Sequence, residues 1–167
     1  MTAEADADRT RTLHYRDPLP HVAGSFERTG LEQLQAVIDG TVPAPPIAAH
    51  VGMDFVSVSE GDVVLTGIPD DSHYNPIGSV HAGFAATLLD SACGCAVHST
   101  LPAGVGYTTL EIKISLLRPI SAETGPVTVH GWVTKPGRRA AFAEADLRDA
   151  QGRVLATASS SCLIIAP

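Results

Sequence analysis

The chain has 167 residues, 44% hydrophobic and 17% charged, with a formal net charge of −7 and three cysteines. That length carries one domain with a real core and is too short for two. The acidic balance argues against nonspecific binding to nucleic acid or to an anionic membrane, since both rest on clustered Lys and Arg.

The start, Met-Thr-Ala-Glu-Ala-Asp-Ala-Asp, lacks the basic-then-apolar pattern of a secretory signal. No stretch approaches the roughly 20 apolar residues of a bilayer span. A soluble, cytoplasmic protein without a membrane partner is expected. Residues 1–25 are polar and unpatterned, carry Pro18 and Pro20, and read as an N-terminal arm or disordered tail. Residues 26–167 form the single domain. Thr29 with Glu32 is a capping-box spacing, Leu31, Leu34 and Ile38 supply an apolar face, and Gly40 stops the resulting short helix. Pro43, Pro45 and Pro46 predict an extended linker. Two short strands follow, from Val51 to Val58 and from Asp62 to Ile68.

A loop from Pro69 to Gly78 leads into a helix from Ala82 to Ser99. After it come four alternating runs: Tyr107 to Leu117, Val127 to Lys135, Ala140 to Arg148 and Val154 to Ile165. Short turn-type separators between them favour antiparallel pairing. The layout is α+β, one long apolar helix covered by about five or six antiparallel strands. Cys93 and Cys95, two apart on that helix, make neither a zinc pattern nor a disulfide framework and read with Cys162 as reduced core thiols. His73, His98 and His130 have no metal-ligand spacing, and no metal is expected.

Between Asp71 and Glu111, Asp90 is the only formally charged side chain. A carboxylate in such surroundings is costly unless it is hydrogen-bonded, hydrated or used. At 100° per residue Phe84, Ala85, Leu88, Leu89, Ala92, Cys95 and Ala96 form a broad apolar face, whereas Gly83, Thr87, Asp90 and Gly94 form a stripe of small residues around the carboxylate. Such a stripe is expected to be covered by a partner subunit or by substrate. Gly78 and Gly83 bracket the helix start, where free N–H groups and the positive dipole end suit an oxyanion, and Asn75 and His81 add an amide and an imidazole. Asp90 lies seven or eight residues beyond Ala82 or Gly83, roughly 10 to 12 Å along the axis. One carbonyl cannot be held at the first point and attacked from the second. Either these groups do not share a reaction centre, or donors from one subunit face Asp90 of another, and the second option predicts a homodimer.

Asn75, Gly78, His81, Ala82, Gly83 and Asp90 resemble the motif of hotdog-fold acyl-CoA thioesterases of the PaaI-like family, in which Asn, Gly and His-Gly-Gly precede a catalytic Asp. The likeness continues through Leu101-Pro-Ala-Gly104, Tyr107 to Ile114, Arg118-Pro119 and Pro136-Gly-Arg138-Arg139, covering about residues 50 to 165. It implies a hotdog fold, subunits paired into a continuous sheet, often as a dimer of dimers, and hydrolysis of an acyl-CoA thioester to free acid and coenzyme A. It further implies that the N–H of Ala82 and the amide of Asn75 polarise the thioester carbonyl. Asp90 then acts as general base on water or as nucleophile, Thr109 holds that water, and His81 orients the motif or assists near the sulfur. Ala82 departs from the family's first Gly, keeping the N–H but adding a β-carbon.

Thr109 opposes the Leu110, Ile112, Ile114 and Leu116 face by strict alternation, with Thr108 as the fallback. Arg138 and Arg139 are turn residues whose guanidinium groups suit the phosphates of coenzyme A. Tyr74, Phe84 and Tyr107 hint at an apolar or aromatic acyl group. No cofactor is needed beyond the coenzyme A of the substrate. A non-catalytic hotdog protein that binds an acyl ligand is the alternative, kept open by Ala82.

Overall fold

A computed structural model of the protein describes residues 8–166. Residues 1–7 of the expected arm lie outside the described residues, and residues 8–17 run without regular structure before α1 (Leu19–Ser25). Helix α2 (Gly30–Ile38) opens with the capping box that the spacing predicts: Glu32 N–H donates to Thr29 Oγ1 at 3.2 Å, and Thr29 N–H to Glu32 Oε2 at 2.8 Å. The proline linker is shorter than expected. Pro45 is extended, but Pro46 begins α3 (Pro46–Val51), because a proline at the first helical position loses no hydrogen bond and presets φ. Gly52, at φ 57°, ends that helix, so β1 (Asp54–Ser59) starts three residues later than the apolar pattern suggests.

Strands β2 (Asp62–Gly67), β3 (Gly106–Leu116), β4 (Val127–Lys135), β5 (Ala140–Arg148) and β6 (Val154–Ile165) complete one antiparallel sheet of order β1-β2-β4-β5-β6-β3. Its concave side holds α4 (Ala82–His98). Leu88, Leu89, Ala92, Cys93, Ala96 and Val97 are fully buried against Val63, Leu65, Val129, Leu147 and Ala156. Each large apolar side chain buried there contributes roughly 1.5–3 kcal/mol. The helix comes so near that a Cβ built on Gly131 would sit 2.5 Å from the Ala92 carbonyl, and one on Gly67 2.6 Å from Leu88 Cδ1. Strands β1 and β3 are the two edges.

The β5–β6 turn is tied by Asp149, only 5% exposed, which accepts the N–H groups of Gln151 and Arg153 at 3.0 and 2.9 Å and Arg153 Nε at 2.6 Å. Burial pushes its carboxyl up, but those donors outweigh it and hold the group below the ordinary carboxylate range. None of the described helices is long and apolar enough to cross a membrane.

Replacing Gly131 by Ala should lower the urea-unfolding free energy by about 1–3 kcal/mol, because the backbone of α4 cannot step aside for a methyl group. The Asp149 shift predicts a pH effect of definite sign. Its contribution is complete above the unfolded carboxyl value of about 3.9 and is lost as pH falls through the lower folded value. Thermal melts between pH 2 and 7 should therefore show a shallower acid-side decline for Asp149→Asn, which also melts lower at pH 7.

Candidate active site

The loop before α4 is built by side-chain capping of its own backbone. Asn75 Oδ1 accepts the N–H groups of Ile77 and Ser79 at 3.1 and 3.2 Å, while its Nδ2 donates to Ser79 Oγ at 3.0 Å. One amide hydrogen of Asn75 is thus used locally and a second remains. Gly78, at φ 82°, supplies the left-handed turn that lets the chain come back. The His81 N–H donates to the His73 carbonyl at 2.8 Å, and Val80 N–H to the Ile120 carbonyl at 2.9 Å, so the loop is held from both sides.

His81 is the N-cap of α4, and its Nδ1 accepts the Gly83 N–H at 2.8 Å. The next amide, Phe84 N–H, donates to the His81 carbonyl at 3.0 Å. Of the orphan donors in the first turn, Ala82 N–H therefore stands without an acceptor among the described residues. Ala82, Asn75, Ser79 and His81 share the wall of a concavity of about 350 Å³ with Arg118, Pro119 and Ile120. The sequence-predicted oxyanion donors, Asn75 and Ala82, are thus brought together in one chain.

Eight residues on, Asp90 accepts a hydrogen bond from Thr109 Oγ1 at 3.0 Å. Strict alternation misplaces Thr109. A β-bulge between Thr109 and Glu111 turns Leu110 outward, to 60% exposure, and lets Tyr107, Thr109, Ile112 and Ile114 all lie on the helix side. Thr108 is exposed on the opposite face, across from Leu163. The small-residue stripe is covered in part by the chain's own β3: a Cβ on Gly94 would meet the Tyr107 hydroxyl at 2.6 Å, so glycine there makes room for the tyrosine. Thr87 returns its hydroxyl to the Gly83 carbonyl at 2.9 Å. Burial, joined by the charge of Asp90, pushes the thiols of Cys93 and Cys95 up to about 12 and the Tyr107 phenol well above its usual value. These groups are protonated at neutral pH.

Other predicted residues lie apart. Phe84 is 4% exposed with its ring 4.9 Å from that of His73, a core position that also borders a hollow of about 470 Å³ beside His81, Gly83 and Thr87. Arg138 and Arg139 are exposed in the β4–β5 turn, where Arg138 lines a depression with Thr100 and Leu101 beyond the C-terminus of α4. Those 17 helical residues separate it from Ala82 by roughly 25 Å. His81, as the N-cap, stands outside the helical phase that would set it opposite Asp90, and its ring folds over Gly83 instead. No group of His, Cys, Asp and Glu among the described residues could hold a metal ion. Arg11 and Ser79 carry contacts around this loop that no local sequence pattern announces.

The thioesterase superfamily profile matches residues 77–156. A candidate esterase of Halobacterium salinarum is 31% identical over 138 residues, covering 75% of this chain and 89% of that one. Human acyl-coenzyme A thioesterase 13 is 29% identical over 128 residues, again 75% of this chain and 89% of its own. Among solved structures, the Escherichia coli PaaI protein of the phenylacetic acid degradation operon superposes with a TM-score of 0.71 at 22% identity, covering 81% of this chain and 96% of that one, a likeness of fold.

Proposed function

The chain belongs to the thioesterase superfamily, as a hotdog-fold thioester hydrolase related to PaaI, and from that premise we propose that it cleaves an acyl-CoA thioester at a site completed by two subunits. The observation that carries this reading is the division of the chemistry on α4. An unpaired N–H at Ala82 and a hydroxyl-bonded carboxylate at Asp90 stand eight residues apart, roughly 12 Å along one axis. Each is half of a hydrolytic site. The 11-residue edge strand β3, which carries Thr109, offers unpaired backbone groups along which a second copy could continue the sheet. A two-fold axis there runs the partner's α4 antiparallel and carries the N-terminus of that helix toward Asp90. A dimer of dimers retains the same pair.

In the reaction, one oxygen of Asp90 is engaged by Thr109 and the other accepts a proton from water as the water oxygen attacks the carbonyl carbon. Negative charge moves to the carbonyl oxygen, where Ala82 N–H and the spare Asn75 N–H of the second subunit meet it. Such preorganised donors are usually the largest contribution in acyl transfer. Collapse breaks the C–S bond, and the proton held by Asp90 passes to the departing thiolate, so coenzyme A and the free acid leave with atoms balanced. Human acyl-coenzyme A thioesterase 13 supports the choice of acyl donor. Arg138 and Arg139, unpaired among the described residues, are suited to the phosphates of coenzyme A.

Asp90→Asn should lower kcat for thiol release by about 10²–10⁴-fold while KM and the melting temperature stay near wild type; an unchanged kcat removes Asp90 from the chemistry. Ala82→Pro is the matching test of the donor. Proline fits the first helical position, and the preceding His81, at φ −61° and ψ 141°, already has the conformation that a following proline requires. It deletes the N–H alone, and kcat should fall about 10²–10³-fold with the helix intact. Exchanging subunits between the two inactive variants should then restore about a quarter of wild-type activity, since half of the dimers are mixed and each has one site with both native halves. No recovery, with exchange verified by mass spectrometry, would place both halves within one chain.

A further inference from the structure

The N-terminal arm, outside the 77–156 segment matched by the family profile, reaches the loop that carries the oxyanion donors. Arg11 Nη1 donates to Ser72 Oγ at 2.8 Å, its Nη2 to the Ala49 carbonyl of α3 at 3.2 Å, and Asp70 Oδ2 lies 3.6 Å away. Arg9 forms an ion pair with Asp71. Although it stands on an irregular segment, the Arg11 side chain is only 31% exposed. The planar guanidinium bridges two segments, α3 and the 3-10 turn Asp71–His73, a task for which its forked donors are suited.

That turn holds the start of α4. His73 Nδ1 accepts the Asp70 N–H at 3.0 Å, which leaves Nε2 as the protonated nitrogen, donating to the His50 carbonyl at 3.0 Å. Arg11 Nη1, 2.9 Å from the same Nε2, is therefore packed against it without a hydrogen bond between them, and its bonds go to Ser72 and Ala49. The His73 carbonyl in turn accepts the His81 N–H at 2.8 Å, and the His73 ring lies 4.9 Å from that of Phe84 in the first turn of α4. His81 caps Gly83, and Ala82 N–H lies between the two. The far side of the loop is held independently, by Tyr74 Oη accepting the Ala122 N–H at 3.0 Å and by Val80 on Ile120. Arg11 secures the other side.

We infer that Arg11 is a positioning residue for the hydrolytic step: by clamping Ser72 to Ala49 it fixes the turn from which the His81 cap hangs, and so sets where Ala82 N–H points. The inference rests on the proposed role of that N–H. A donor displaced by a fraction of an ångström from the developing oxyanion loses transition-state stabilisation while ground-state binding, made elsewhere, is kept.

Thiol release from an acyl-CoA panel, measured for wild type, Arg11→Ala, Arg11→Lys, Ser72→Ala and the Arg11→Ala/Ser72→Ala double variant, tests this, with melting curves and ¹⁵N–¹H spectra of each. Arg11→Ala should lower kcat about tenfold with KM changed less than about twofold, and should shift the Ala82 and Gly83 amide resonances. Lysine, which can satisfy one acceptor but not bridge two, should recover part of the loss. The double variant should be no slower than Arg11→Ala, because both substitutions break one clamp. Wild-type kcat in Arg11→Ala, or a loss that merely follows its folded fraction, overturns the inference. A wild type that releases no thiol from any acyl-CoA overturns the hydrolase reading instead. Arg11 is then judged by the amide shifts alone, where movement at Ala82 upholds the positioning role and unchanged resonances end it.

Discussion

Backbone-to-backbone contact between α4 and the centre of the sheet governs the rest of the structure. Gly131 on β4 lies against the Ala92 carbonyl with no room for a methyl group, and Gly67 on β2 leaves the space that the Leu88 side chain fills. A helix seated that deeply buries almost its whole circumference. Only its first turn and one narrow strip can face anything other than core, and these are where Ala82 and Asp90 lie. The sheet must wrap to cover the remainder, and β3 does so by bulging at Leu110. The bulge changes which residues face inward on the two sides of that point, so that Thr109 and Ile112 share a face. Packing and site are thus set by the same contact: without the bulge, either Thr109 or the isoleucines would turn away from the helix.

Much of this is legible in the sequence where local physics decides. The capping box at Thr29 and Glu32, the span of α4, and strands β4, β5 and β6 follow from periodicity and turn chemistry, and stand where those signals put them. The misreadings share a cause. Pro46 is a breaker in the middle of a helix and a starter at its first position, and only the path of the chain into Gly52 decides between them. The bulge at Leu110 is invisible to an alternation rule because it inserts one residue without any change of composition. Gly94 looked like space left for another molecule, yet the space belongs to Tyr107, 13 residues away in sequence and on a different element. The contacts of Arg11 span 61 residues to Ser72, and no local pattern in an arm rich in polar residues marks one arginine over its neighbours.

The division of charge along α4 has a chemical logic. Hydrolysis of a thioester needs a base that removes a proton from water and a group that accepts the resulting negative charge on the carbonyl oxygen, and these must not neutralise each other. Had Asp90 been placed in the first turn of the same helix, it would have taken the free N–H groups for itself, as acidic residues at helix starts do. Two turns further on it is too distant to compete, and its hydrogen bond in the chain comes from a neutral hydroxyl. The neighbouring thiols and phenol are held in their protonated forms by burial and by the carboxylate itself, so they add no second nucleophile. Separation keeps both halves unspent, which is the reason for proposing a reacting centre assembled from two copies.

The N-cap at His81 bears on the same requirement. Ser, Thr, Asp and Asn are the residues that cap most helices, and an aspartate would bind the Gly83 N–H at least as well. It would also put a negative charge next to Ala82, where the proposed reaction develops negative charge on the substrate. Imidazole accepting through Nδ1 caps the helix without charge, and the same acceptance fixes the proton on Nε2, facing away from the cap as a further donor. A serine would cap without charge too, but its short side chain would leave nothing beyond the helix end. His81 borders both the 350 Å³ concavity with Ala82 and Asn75 and the 470 Å³ hollow with Gly83 and Thr87, the two spaces flanking the helix start. The cap therefore completes the helix and keeps its mouth electropositive, which a carboxylate at that position could not do.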